Sequence, residues 1–328
     1  MPTTGDEAER GTGVPPVPGA PGTGRTPVLR KDRRVVVTGG AGLIGRFAIA
    51  KLKKRGWDVV VFGRHAVSGF DFRRVDLLGG DSVRGAIEEV RPTHLLHLAW
   101  ATKHGEFWST ADNLDWTGAT CGLIRSFVQS GGSRVVCAGT CAEYDWSFDH
   151  MVEDRTPLRP ATLYGVCKNA TREVVSAFCE ASKVSCAWGR VFMPYGDRAS
   201  GEDVRRLVPS IVTPLLAGMP AVVRSGAHVR DLMPAEDVGR AFADLLESNL
   251  SGAVNVASGD PISLGDVART IGAAVGRSDL VQVEDGPATP SNPLRLTADV
   301  TKLRSIGFRP ARSSVEGLQE LVRQWRSA

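Results

Sequence analysis

The sequence predicts an α/β protein built on a doubly wound parallel sheet, and three observations carry that prediction. Short apolar runs rich in β-branched residues recur at 35–37, 59–62, 95–99, 134–139 and 184–192. Stretches with helical patterning separate them, which is how a parallel sheet covered on both faces is written in sequence. A glycine-rich turn, TGGAGLIG at 38–45, joins the first strand to the first helix.

The elements follow in order. The strand at 35–37 leads through the glycine turn into a helix at about 43–55, which stops at Gly56, a residue suited to ending a helix. A second strand at 59–62 and a third at 73–76 precede a helix at 82–90, closed by the Arg91-Pro92 step. Strands at 95–99, 134–139 and 184–192 complete a region running from 31 to 192. Beyond it the rhythm loosens: strand-like 221–224 and 253–258 are interleaved with helices at 236–248, 263–276, 299–306 and 314–326. Residues 193–328 therefore read as a smaller, mainly substrate-binding α/β lobe, with room for its segments to alternate with the sheet. A cleft between two such parts is where a substrate would sit.

Residues 1–30 differ from the rest. They hold six Pro and six Gly but no Phe, Trp or Tyr, so they cannot bury enough apolar surface to order themselves and read as a disordered tail.

Composition excludes several classes. Of the 328 residues 42% are hydrophobic and 23% charged, and the formal net charge is +4. That charge is too small for a dedicated nucleic-acid binder. The run K-L-K-K-R at 51–55 ends a helix, where cations suit the dipole, and reads as a solvated end. No apolar stretch reaches the roughly 18 residues of a membrane span, and the first residues carry no apolar signal core. A soluble cytoplasmic protein is expected. Six cysteines (Cys121, Cys137, Cys141, Cys167, Cys179, Cys186) form no CxxC pair and no zinc-like cluster, so no metal site is expected and the thiols read as small buried hydrophobes.

The glycine turn carries the first chemistry. Glycine allows the tight bend and lets the backbone approach a pyrophosphate, whose charge the helix N-terminus then holds. With a strand before it and a helix after it, this is a Rossmann-type dinucleotide site. After the second strand, where an NAD site usually places a carboxylate against the ribose 2′-hydroxyl, stand Gly63, Arg64 and His65. Nothing there repels a 2′-phosphate, and the Arg64 fork suits one, so NADP(H) is the expected cofactor.

Tyr164 and Lys168, four apart, share one face of a helix. A nearby ammonium stabilises a phenolate and is expected to draw Tyr164 toward neutral working pH. Thr140, at a strand end, can bond the same substrate oxygen and align it.

TGGAGLIG, Asp76-Leu77 after the third strand, HLAW at 97–100 after the fourth, and Tyr164-Gly-Val-Cys-Lys168 together resemble an extended short-chain dehydrogenase/reductase, more narrowly the nucleotide-sugar epimerases, dehydratases and 4-ketoreductases. The resemblance covers about 33–310. It implies that Gly39, Gly42 and Gly45, with Leu43 and Ile44 between them, bind the cofactor phosphates. It further implies Asp76 and Leu77 beside the adenine, Ala99 as a cofactor wall, and Thr140, Tyr164 and Lys168 as the catalytic set. Arg230, in an Arg-Asp step, and Arg295 are implied as contacts to the substrate diphosphate.

Departures narrow the reaction. Dehydratases that the chain resembles follow the catalytic Thr with Asp-Glu, whereas Cys141 and Ala142 stand here. Members that epimerise at C3 and C5 use a Cys two residues beyond the catalytic residue, where this chain has Ala142, and a His that 197–204 lacks. The resemblance then implies NADPH-dependent reduction of the C4 ketone of a nucleotide-linked 4-keto-6-deoxyhexose, with thymidine as the base by analogy. Deoxysugar supply for a glycosylated natural product such as an antibiotic fits that chemistry, and a homodimer fits the resemblance. Met193 stands where such enzymes often carry Asn near the phosphates, which shifts weight to Arg230 and Arg295. Two alternatives stay open: an NAD-dependent C4 epimerase and a non-catalytic NADP-sensing regulator. Trp100, Lys103, His104, Phe107 and Trp108 are expected along the substrate cleft, with the tryptophans as cleft wall or core and His104 as a loop residue.

Overall fold

A computed structural model describes residues 33–79, 81–196 and 203–327; the tail expected at 1–30 lies outside them. β1 (Arg34–Thr38) and α1 (Gly45–Lys54) are followed by β2 (Asp58–Gly63), β3 (Asp71–Arg74), α2 (Asp81–Val90), β4 (His94–His97), α3 (Asp112–Gln129) and β5 (Arg134–Thr140). After a short 3₁₀ turn (Cys141–Glu143) come β6 (His150–Met151), α4 (Leu163–Ala181), β7 (Ser185–Val191), β8 (Met193–Tyr195), α5 (Leu207–Leu216) and β9 (Ala221–Val223). The chain continues through β10 (Val229–Arg230), β11 (Leu232–Pro234), α6 (Ala235–Glu247), β12 (Gly252–Val256), β13 (Ile262–Ser263) and α7 (Leu264–Val275). It ends in β14 (Val281–Val283), β15 (Arg295–Ala298), α8 (Thr301–Ser305) and α9 (Ser314–Ser327). No helix among the described residues is long and apolar enough to cross a membrane.

Seven parallel strands form the central sheet in the order β12-β7-β5-β4-β1-β2-β3. The order reverses between β1 and β4, and the crevice beyond the strand ends there is where such sheets bind ligands. Both faces are covered, which explains the unbroken apolar runs. Val35, Val37, Val59 and Val61 face Ile49 and Leu52 of α1 and Phe242 and Leu246 of α6. Val36, Val60 and Leu95 point the other way, into Ile87, Leu123, Phe127 and Val175. The period of two along each strand thus feeds two cores.

Three details differ from the sequence reading. β3 ends at Arg74, because its register with β2 runs from Val60↔Asp71 to Gly63↔Arg74. Asp76 and Leu77 consequently lie beyond the strand, in the crevice. The basic end of α1 is only partly solvated, since Arg55 pairs with Asp244 and Glu247 on α6. Short strands β6, β10, β13 and β15 form a small separate sheet that local patterning did not reveal. Three of these strands have only two residues each, too few for a period to register.

Segments late in the chain return to the central sheet. β12 adds its outer strand beside β7, and α6 packs against α1. That crossing needs Gly239: a Cβ there would lie 2.7 Å from Phe47 Cβ, 2.8 Å from Ala48 N and 2.9 Å from Ile44 O. α5, α7 and α9 build a further apolar cluster around Ile211, Ile271, Leu321 and Trp325.

Gly239→Ala tests this crossing. Alanine gains about 1 kcal/mol of helix propensity, but the atoms it meets belong largely to α1 backbone and cannot move aside. Overpacking wins, and chemical denaturation should read a net loss of about 1–3 kcal/mol.

Candidate active site

The crevice holds one cavity of about 770 Å³ that runs from the glycine turn to Arg230, a size suited to a large organic ligand. At one end the turn is built by exclusion. Gly39 has φ +71°, and a Cβ on it would stand 2.8 Å from Ala99 N. A Cβ on Gly45 would lie 2.0 Å from Gly39 O. Only glycine lets α1 start directly beneath the turn, where Gly42 N–H donates to Gly39 O at 3.0 Å. The first turn of α1 contains no acidic residue and has no side-chain cap, so no carboxylate opposes an anion at the positive end of the helix dipole. Gly39, Gly42, Leu43, Ile44 and Gly45 all line the cavity. Arg64 and His65, both exposed, edge it at the end of β2, with Asp76 and Leu77 beside them. These residues fit a dinucleotide.

Behind the cradle sits a buried histidine. His97 Nδ1 lies 2.7 Å from Thr38 Oγ1 and Nε2 lies 2.9 Å from Thr120 Oγ1. Burial, with the Lys168 charge nearby, pushes its pKa down to about 3, so the ring is neutral. It ties the ends of β1 and β4 together, while Thr38 Oγ1 also accepts from Ala99 N at 3.3 Å.

Thr140, Tyr164 and Lys168 come together at the middle of the cavity, 8%, 7% and 3% exposed. Thr162 caps α4 by accepting Gly165 N–H at 3.1 Å. Gly165 itself allows the approach, since a Cβ there would stand 2.3 Å from Ala142 O in the 3₁₀ turn. Tyr164 packs edge-on against Phe107 (4.9 Å), Trp108 (5.8 Å) and Trp100 (6.4 Å). Its acidity runs against the sequence expectation. Burial pushes the phenol above its ordinary value, and the groups pulling it down are the Thr140 hydroxyl, then Arg206. The aromatic packing desolvates a phenolate more than its neighbours stabilise it. Lys168 is pushed down to about 7, chiefly by burial, and donates to Ala138 O at 2.9 Å.

The position of Thr140 depends on Glu143, which the sequence reading missed. Glu143 Oε1 accepts Thr140 N–H and Trp188 Nε1–H, each at 2.8 Å, and Oε2 accepts Arg190 Nε–H at 2.7 Å. Arg190 continues to Tyr144 Oη at 2.9 Å, which donates to Asn255 Oδ1 at 2.7 Å. Gly139 keeps the route open, because a Cβ there would fall 2.0 Å from Trp188 Nε1. One local signal was present: Thr140 and Glu143 form a capping box, legible as T-x-x-E.

At the far end Arg230 lines the cavity, largely buried, with its guanidinium bonded to Asn292 Oδ1 and to Val229 O. Its neighbour Asp231 accepts Ser258 N–H at 2.7 Å and Gly259 N–H at 3.0 Å, fixing the loop after β12. Arg295 is corrected: it is exposed at the start of β15 and lies outside the cavity lining. Strand alternation buries its neighbour Leu296 instead. Arg206, missed in sequence, lines the cavity and is 3.4 Å from Thr102 O. His104 lies beside it, its pKa lowered by burial and then by Arg206. Cys141 also lines the cavity, and burial pushes its thiol up to about 12. All six cysteines are free.

A family model described as the NAD dependent epimerase/dehydratase family matches residues 35–257. UDP-glucuronic acid decarboxylase 1 of Arabidopsis thaliana is 25% identical over 326 residues, which is 93% of this chain and 73% of that protein. The dTDP-6-deoxy-L-talose 4-dehydrogenase (NAD(+)) of Aggregatibacter actinomycetemcomitans is 26% identical, covering 70% of this chain and 86% of that one. Among solved structures, the UDP-glucose 4-epimerase of Thermus thermophilus in complex with NAD superposes with a TM-score of 0.77 at 27% identity, covering 90% of this chain and 99% of that one.

Two outcomes follow from the buried groups. Arg190→Met strands the Glu143 carboxylate and should destabilise the protein by about 3–5 kcal/mol in denaturant unfolding. Adding Glu143→Gln should recover part of that loss. His97 has a folded pKa below its unfolded value of about 6.5, so the unfolded chain takes up the proton first. Its contribution is fully present above about pH 6.5 and is lost progressively as pH falls toward 3. His97→Asn should remove about 1.4 kcal/mol per pH unit from the acid-side slope of stability against pH.

Proposed function

Because the chain belongs to the NAD-dependent epimerase/dehydratase family, we propose that it reduces the C4 ketone of a nucleotide-linked 4-keto-6-deoxyhexose with NADPH, thymidine diphosphate being the expected handle. The observation that carries this reading is a buried Tyr164 beside Thr140 and Lys168 without an accompanying carboxylate. The phenol is buried among aromatic rings, and that burial pushes it above its ordinary value. The carboxylates lining the cavity, among the described residues, are Asp76 and Asp112, and no hydrogen bond joins either to Thr140, Tyr164 or Lys168. Reduction of a ketone needs a proton donor at its oxygen, and Tyr164 is the protic group that lines the cavity with Thr140 and Lys168. Removal of water from the sugar needs a further acid and base, and Cys141 and Ala142 supply neither.

The cofactor would be held by Gly39, Gly42, Leu43, Ile44 and Gly45 at its diphosphate, by Asp76, Leu77 and Ala99 along its length, and by Arg64 at a 2′-phosphate. When bound, reduced nicotinamide supplies the hydride for the ketone carbon. Thr140, its backbone amide held at the strand end by Glu143, aligns the ketone oxygen through its hydroxyl. Tyr164 gives that oxygen its proton, and the Lys168 ammonium stabilises the phenolate left behind. Arg230, with Arg206, faces the substrate diphosphate, and Arg295 has no part in it. The name of the Thermus relative favours a second reading, C4 epimerisation with NAD.

Following NADPH absorbance with dTDP-4-keto-6-deoxyglucose, and NADH in parallel, tests the reading. Stoichiometric oxidation preferring NADPH is expected. Tyr164→Phe should lower kcat by about 10²–10⁴-fold with NADPH binding intact, which also separates an enzyme from a cofactor sensor. Arg64→Ala should weaken NADPH roughly ten- to hundred-fold and leave NADH unchanged. No consumption, with NAD released on denaturation, would replace the reductase by the epimerase.

A further inference from the structure

Lys168 is a buried ammonium without a carboxylate of its own. It is 3% exposed, and its protein hydrogen bond goes to Ala138 O at 2.9 Å. The groups that interact with it are Glu143 from the 3₁₀ turn, Cys137 on β5 and His97 on β4, and Tyr164 stands one turn earlier on α4. Arg190 on β7 stands behind Glu143. His97 is neutral, the Cys137 thiol is pushed up by burial, and the Glu143 oxygens are already taken by Arg190, Trp188 and Thr140. Besides the Ala138 carbonyl, what meets the ammonium is an aromatic face: Nζ lies 3.7 Å from the centroid of Trp100 and 6.0 Å from that of Trp188.

Trp100 is held there from the other side. Its Nε1–H donates to Asn113 Oδ1 at 2.9 Å. Asn113 is fully buried and fixed by donating to Phe107 O at 2.8 Å and Thr110 O at 2.9 Å. The Trp116 ring, 6.1 Å away, backs the indole. The sequence reading made this tryptophan a piece of cleft wall or core, but its contacts give it a particular partner.

We propose that Trp100 is a positioning residue for Lys168, its indole face holding the buried ammonium in place and in its charged form. The negative face of an indole attracts a cation, most strongly where water is excluded. Being neutral, it stabilises the charge without cancelling it, so the positive potential stays directed at Tyr164 and the cavity. A carboxylate at the same place would neutralise that potential. The consequence for turnover rests on the proposed reduction; the titration of Lys168 does not.

Lysine labelled with ¹³C at Cε, followed by NMR across roughly pH 5 to 10, reads that titration in the full-length protein. The Lys168 signal is the one lost in Lys168→Arg. Trp100→Leu and Trp100→Met, which remove the aromatic face, should lower the midpoint by about one unit, and Trp100→Phe should restore most of it. In turnover, the alkaline limb of kcat for ketone reduction should move down by the same amount, whereas merely structural damage would lower kcat at every pH. A midpoint unmoved in a folded Leu or Met variant overturns the inference, as does a Phe variant no different from them. A moved midpoint in protein that consumes no NADPH supports the inference and removes the proposed reaction instead.

Discussion

The active-site end of the molecule depends on one buried carboxylate. Glu143 commits one oxygen to the Thr140 amide and the Trp188 indole and the other to Arg190. In a low-dielectric interior such a group is tolerable only when fully bonded, and removing one partner costs more than the pair itself contributes. The arrangement therefore holds β5, the 3₁₀ turn and β7 in one geometry. Thr140 is carried at its edge with its hydroxyl in the cavity. Glycine at 139 and at 165 follows from this: one leaves room for the indole to reach Glu143, and the other lets α4 press on the turn.

From that anchor the cavity divides its work by environment. Toward the glycine turn it is a concave backbone surface at a helix N-terminus, edged by Arg64, and suits phosphates. Toward the middle it is roofed by Phe107, Trp108 and Trp100, and the polar groups there are desolvated. Burial raises the Tyr164 phenol and lowers the Lys168 ammonium. Both shifts favour the uncharged forms, so the phenol holds its proton more tightly and the ammonium less tightly than in water. The far end returns to cationic chemistry with Arg206 and Arg230.

Chain segments far apart in sequence share this construction. β12 extends the sheet, Asp231 ties the β10–β11 step to the loop that follows β12, and Asn255 on β12 carries the hydrogen-bond chain from Glu143 on to Met151 O and Asp299 O. Arg230 stands where it does because its neighbour is locked in that way. The late segments are thus as much a part of the reaction centre as the strands at the start.

The sequence alone determined whatever repeats over a few residues. Alternating apolar strands and helices established a parallel sheet, the glycine string with its flanking strand and helix marked the dinucleotide cradle, and the four-residue spacing of Tyr164 and Lys168 placed them on one helix face. Tertiary structure decided what depends on residues meeting across the chain. Glu143 and Arg190, 47 positions apart, carry no joint pattern, although T-x-x-E marked the turn. Arg206 entered the cavity and Arg295 left it, because a single arginine bears no sign of which way its strand or loop will face. The acidity of Tyr164 turned on aromatic rings contributed by residues 100–108, and no spacing along α4 encodes that burial. Periodicity records local geometry, whereas desolvation and ion pairing belong to the packed interior.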